Sequence, residues 1–150
     1  MRYLTFQLNH ETFGLDLLQV QEIIGSCPIT RVPGVAHYVR GLINLRGRLI
    51  SVVDLRSRFG MPECEDCGRG CIVVLRVGTR GPRGARGLIV DEVTEVLTLD
   101  PMAFEATPEL GDGLDTSCVK GLAVIDGQVV RILDPLLVFD SQFTGRDRAA

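Results

Sequence analysis

Apolar and polar residues alternate along much of this chain. In "YLTFQL" (3–8), Leu4, Phe6 and Leu8 fall on one face and Tyr3, Thr5 and Gln7 on the other, the pattern of a half-buried strand. "NHET" reads as a turn and "FGLDLL" as the returning strand. "CIVVLRV" (71–77) and "RGLIVDEV" (86–93) form a similar pair joined by a longer glycine-rich loop. "GLINLRGRLISVVDL" (41–55) and "GLAVIDGQVVRILDP" (121–135) each read as a hairpin, bent at Arg46-Gly47 and at Asp126-Gly127. The longest helix candidates, "GVAHYV", "DLRSRF" and "DPLLVF", span only a turn or two. The pattern predicts a mostly β chain.

The same pattern occurs twice. Residues 14–24 match 87–97 at an offset of 73, with Gly14/Gly87, Leu15/Leu88, Val20/Val93 and Glu22/Glu95 identical. Residues 39–54 match 119–134 at an offset of 80, with Val39/Val119, Gly41/Gly121, Leu42/Leu122, Gly47/Gly127 and Asp54/Asp134 identical. The linkers, 25–38 and 98–118, absorb the difference, so each half reads strand, strand, linker, hairpin, short helix. Short strands with tight turns favour closed barrels, because closure removes unpaired edges. Two small barrels packed side by side are expected. The first would be formed mainly by about 12–70 and the second mainly by about 71–135, with terminal segments crossing between them. Neither half has many core residues, so apolar surface should also be buried between the barrels. Residues 141–150 are expected to be a disordered tail.

Within the repeat, Gly47 and Gly127 read as turn residues, and Asp54 and Asp134 as N-caps of short helices, with Pro135 at a first helical position. Capping accounts for both carboxylates better than acid–base catalysis, since neither has a partner at matched spacing. The two bends differ. Asp-Gly is a strong hairpin signal, whereas the first bend carries Arg46 two residues from Asn44, where the second half has Asp126 and Val124. One reading is a solvated surface arginine. The other is a docking group whose fork of donors suits a partner's carboxylates or carbonyls, with Arg40 beside Gly41 extending the positive patch. In "VQEII" (20–24), the match of Glu22 with Glu95 favours a structural role shared by the halves. Val20 and Ile24 would share a face if this stretch were helical, and read as core.

Composition narrows the function. At 150 residues and 45% hydrophobic, the chain suits one ordinary domain or two small ones. It opens on a strand pattern without a signal-peptide core, and no apolar run approaches the roughly 20 residues of a membrane helix, so a soluble cytoplasmic protein is expected. A net charge of −3 gives no nucleic-acid footprint of its own. The arginines between residues 69 and 86 make a nucleic-acid-binding β-barrel one rival, weakened by the lack of interleaved aromatic residues. A metal or redox module is another. Cys64, Cys67 and Cys71 include a single C-x-x-C, short of the four ligands of a tetrahedral zinc site, and Cys27 and Cys118 are isolated. "GTRGPRGARG" (78–87) lacks the phosphate-cradling pattern and reads as a solvated loop. No nucleophile elbow, paired-carboxylate cleft or dinucleotide fingerprint occurs, so no catalytic residue and no cofactor is assigned and an enzyme is not expected.

"RVPGVAHYVRGLINLRGRLISVVDLRSRFGMP" (31–62) resembles the signature of the CheW family of bacterial chemotaxis coupling proteins. The resemblance continues in "YLTFQLNHETFGLDLLQVQEIIG" at the start and "VKGLAVIDGQVVRILDPLLVF" at the close. It implies a single CheW-like domain over 1–150, an all-β fold of two SH3-like five-stranded barrels with short helices. It further implies a non-catalytic signal-transduction adaptor that couples chemoreceptor cytoplasmic tips (the methyl-accepting chemotaxis proteins) to the regulatory domain of a CheA-like histidine kinase. Such a protein is cytoplasmic and held at membrane receptor arrays through its partners, without inserting into the membrane or binding nucleic acid. The coupling protein of a twitching-motility or other chemosensory-like pathway would share the signature. Carried over by motif position, Val20, Glu22, Arg40, Gly41, Asn44 and Arg46 fall in or near partner-contacting surfaces, while Gly47 and Asp54 are structural. Ser51 stands where the family often has proline, and the cysteines at 64–71 are not a family feature and inherit no role.

Overall fold

The computed structural model describes residues 1–61, 70–77, 84–106 and 118–139. The strands are β1 (Arg2–Leu8), β2 (Glu11–Asp16), β3 (Val20–Gly25), β4 (Val39–Leu45), β5 (Arg48–Asp54), β6 (Cys71–Arg76), β7 (Ala85–Val90), β8 (Glu92–Thr98), β9 (Val119–Ile125) and β10 (Gln128–Leu133). Helix α1 (Leu55–Phe59) follows β5, and a helical turn over 135–139 follows β10. The strands form two five-stranded sheets, ordered β8-β1-β2-β10-β9 and β3-β6-β7-β5-β4.

Replacing each strand by its repeat counterpart turns one order into the other. The duplication is therefore real in space, but the division expected near residue 70 is not where the sheets divide. β6 and β7 complete the sheet of β3, β4 and β5, while β1 and β2 complete that of β8, β9 and β10. Each half lends its first two strands to the other's sheet. The chain changes sheets through the 3-10 turn Leu17–Gln19 after β2 and through the single residue Asp91 between β7 and β8.

Burial explains the exchange. One apolar cluster lies inside each sheet: Ile43, Ile50, Val52, Ile72, Val74 and Ala85 in one, Tyr3, Leu99, Ala123, Val130 and Ile132 in the other. A third is shared, and draws Leu4, Phe6, Leu8 and Phe13 from one sheet and Val53, Val73, Leu75 and Leu88 from the other, sealed by Phe59 and Phe139. The lent strands thus bury both faces. β1 is not half-buried as its alternation suggests: Tyr3, Leu4, Thr5 and Phe6 are all buried. The Thr5 hydroxyl meets the polar requirement of that position, 2.7 Å from Thr94 Oγ1 and 2.9 Å from the Glu95 carbonyl it donates to.

The parallel pairings β2–β10 and β5–β7 join the two parts of each sheet at matching register. Gly14 and Gly87 lie at these crossings. A Cβ on Gly87 would stand 3.0 Å from Ile72 Cγ2 and 3.2 Å from Val52 Cγ2, and one on Gly14 3.0 Å from Ile132 Cδ1, which accounts for glycine in both copies.

Two of the three short helices form where expected. Asp54 Oδ1 accepts from Arg56 N at 3.0 Å and Asp134 Oδ1 from Leu136 N at 3.1 Å, so both aspartates cap. "GVAHYV" forms turns instead. Its linker is tied alongside β4 by two 2.8 Å hydrogen bonds between Thr30 and Leu42, and the Tyr38 carbonyl accepts from Asp54 N at 2.8 Å. "VQEII" is a strand, so Val20, Glu22 and Ile24 share its half-buried face. The second residue-range expectation, a disordered tail at 141–150, lies outside the described residues.

Candidate functional site

The β4–β5 hairpin bends at Arg46 (φ 52°) and Gly47 (φ 84°), and the β9–β10 hairpin at Asp126 (φ 50°) and Gly127 (φ 80°). Both are turns of the primed kind, with positive φ at both central residues. Arg46 thus holds a left-handed conformation that Asp tolerates better. Asn44 eases it: its Oδ1 accepts from Gly47 N at 2.9 Å, a bond Val124 cannot make in the other copy.

The Arg46 guanidinium reaches across to Glu22 on β3 in a bidentate pair, Nη1 lying 3.2 Å from Oε2 and Nη2 bonding Oε1. Glu22 strengthens the hold of Arg46 on its proton, first through the hydrogen bond and then through its charge. β3 and β4 are the two edge strands of their sheet, so the pair spans its open seam. The counterparts in the other half are Glu95 and Asp126, two acids. The role of Glu22 is therefore not shared between the halves, contrary to what the identity with Glu95 suggests. The Arg46 side chain remains 72% exposed against 27% for Glu22, so the paired guanidinium still faces outward.

Arg40 follows from a different device. The β4–β5 register shifts between Val39 and Gly41, leaving Arg40 as the bulged residue and turning it out of the ladder. Its Nη2 meets Asp54 Oδ2 at 2.7 Å. Arg56 Nε lies 3.8 Å from Asp54 Oδ1 and 3.5 Å from Asp91 Oδ1, and Asp91 Oδ2 accepts from Asn9 N at 2.8 Å. A polar chain therefore runs from Arg40 through Asp54, Arg56 and Asp91 to the β1–β2 turn of the other sheet. Asp54 is more than a cap. Arg56 and Asp91 escape a motif search, yet the repeat signals them: their counterparts are Leu136 and Leu18, opposite charges replaced together by leucines. Asp54→Ala is expected to cost about 2–4 kcal/mol in urea unfolding, by removing a cap and a buried carboxylate between two guanidinium groups. Asp134→Ala, which removes only a cap, should cost about 1 kcal/mol.

The remaining candidates do not converge. Cys64 and Cys67 lie outside the described residues. Cys71 is half-buried at the start of β6, where burial pushes its thiol up, and Cys118 lies in the shared core. Among the described residues no group of three or more His, Cys, Asp or Glu side chains is placed to hold a metal ion. Of the arginines between 69 and 86, Arg69, Arg80 and Arg83 lie outside the described residues, Arg76 is exposed and Arg86 is half-buried. No helix among the described residues is long and apolar enough to cross a membrane.

Comparison with known proteins decides the family. The model of the CheW-like domain matches residues 2–143. The chain belongs to the CheW family. Chemotaxis protein CheW of Rhizobium meliloti (strain 1021) is 31% identical over 147 residues, covering 98% of this chain and 90% of that protein. Chemotaxis protein CheW of Bacillus subtilis (strain 168) is 31% identical over 142 residues, covering 94% and 88%. The crystal structure of scaffolding protein TtCheW from Thermoanaerobacter tengcongensis matches with a TM-score of 0.80 and 32% identity, over 92% of this chain and 86% of that one. This CheW-family chain is thus a chemotaxis coupling scaffold, with the two-sheet, barrel-type fold of that scaffold.

Proposed function

We propose that this CheW-family protein is a non-catalytic adaptor joining the cytoplasmic tip of a chemoreceptor to the regulatory domain of a CheA-like histidine kinase. It works in the cytoplasm and reaches the receptor array through those partners. The observation that carries the reading is the family match over nearly the whole chain, including the hairpin that presents Arg40, Asn44 and Arg46. Val20, Glu22, Arg40, Gly41, Asn44 and Arg46 are assigned to the partner-contacting surface. Val20 and Glu22 share a face of β3, Glu22 holds the Arg46 fork, and Gly41 and Asn44 set the hairpin that displays both arginines.

Arg46→Asp tests the assignment. It gives the first bend the residue of the second, whose φ is nearly the same, so the melting temperature should hardly change. Pull-down of the receptor tip or of the kinase regulatory domain should fall on the order of tenfold for one of them. Unchanged affinity for both would remove Arg46 from the contact surface.

A further inference from the structure

We infer that the pocket under the 31–39 linker is an acid-binding pocket, built to receive an aspartate or glutamate side chain of a partner protein. The inference deepens the adaptor reading and rests on it. The pocket holds about 350 Å³ and sets Arg31, His37, Arg40 and Ser57 around Val35 and Val39. The chain is shaped to make it. The Thr30–Leu42 hydrogen bonds lay the linker along β4 and bring Arg31 beside the bulged Arg40. Glycine at 41 leaves room for the Thr30 carbonyl, and a 3.0 Å bond from Val39 N to the Ala36 carbonyl folds His37 over the rim. Ser57 enters from α1.

The charges settle which arginine is available. Among the described residues no carboxylate lines the pocket. Arg46 already has both arms on Glu22, and Arg40 gives one to Asp54. Arg31 is exposed and makes no ion pair among the described residues. The guanidinium open to an outside carboxylate is thus Arg31, with Arg40 beside it, and the valines suit the methylene stem of an acidic side chain.

The test is isothermal titration of the full chain with the kinase regulatory domain and with the receptor tip, at low and high salt. Arg31→Glu should weaken one partner on the order of tenfold at low salt and flatten its salt dependence, with Arg31→Ala intermediate. Arg2→Glu, on an exposed residue of the other sheet, should change affinity less than about twofold. Wild-type binding with both Arg31 variants unchanged would overturn the pocket and leave the adaptor standing. Wild-type protein that binds neither partner would overturn both. Displacement of the partner from wild type, but not from Arg31→Ala, by millimolar inorganic phosphate at constant ionic strength would place the partner's acidic group on Arg31 and support the assignment.

Discussion

Cut between residues 65 and 66, the chain should yield two fragments that are each unfolded alone and fold when mixed. The first would contain β1 to β5 and the second β6 to β10, so each holds three strands of one sheet and two of the other. Without β6 and β7, the sheet of β3, β4 and β5 loses Ile72 and Val74 from its interior and Val73, Leu75 and Leu88 from the shared core. What remains cannot offset the chain entropy, and the loss is the entire folding free energy, on the order of 5–15 kcal/mol for a domain of this size. Circular dichroism and urea titration read it directly. A cooperative unfolding transition in either fragment alone would contradict the exchange of strands.

The second large effect is expected at Gly41. Its φ is 142°, and a Cβ there would overlap the Thr30 carbonyl. That oxygen accepts from Leu42 N at 2.8 Å, so it cannot retreat without breaking the strap that holds the linker to β4. Gly41→Ala should cost at least about 3 kcal/mol, combining a disfavoured backbone conformation with a clash against main chain. Gly47→Ala is the control: its φ of 84° is also positive, but no atom beyond its own chain neighbours lies within 4 Å of the added methyl. Its cost should be about 1 kcal/mol. Equal midpoints for the two variants in urea would refute the close approach.

Much of the fold is legible in the sequence because its signals are local. The hairpins, both aspartate caps and the duplication itself follow from spacing, turn residues and identity between halves. The exchange of strands is not local. Nothing near β2 announces that it lies parallel to β10, more than a hundred positions later. The alternation of β1 misleads for a similar reason, since the wet-looking face bearing Tyr3 and Thr5 is covered by the interior of its own sheet and by Thr94. The helix-or-strand ambiguity of "VQEII" is inherent in so short an apolar run. The motif placed Arg46 on the hairpin, but its partner came from across the seam, 24 positions away. The repeat did hold that information: Glu22 with Arg46 and Glu95 with Asp126 differ as a pair sharing an attraction differs from one without it.

The lending of strands also decides how the two sheets hold together. The two sheets share one continuous backbone, which passes between them through Leu17–Gln19 and through Asp91. No flexible tether lies at those crossings to take up slack. Separating the sheets would require stripping β1 and β2, or β6 and β7, out of their ladders. A fold threaded in this way holds its two sheets as one unit, and neither can be pulled free while the other stays whole.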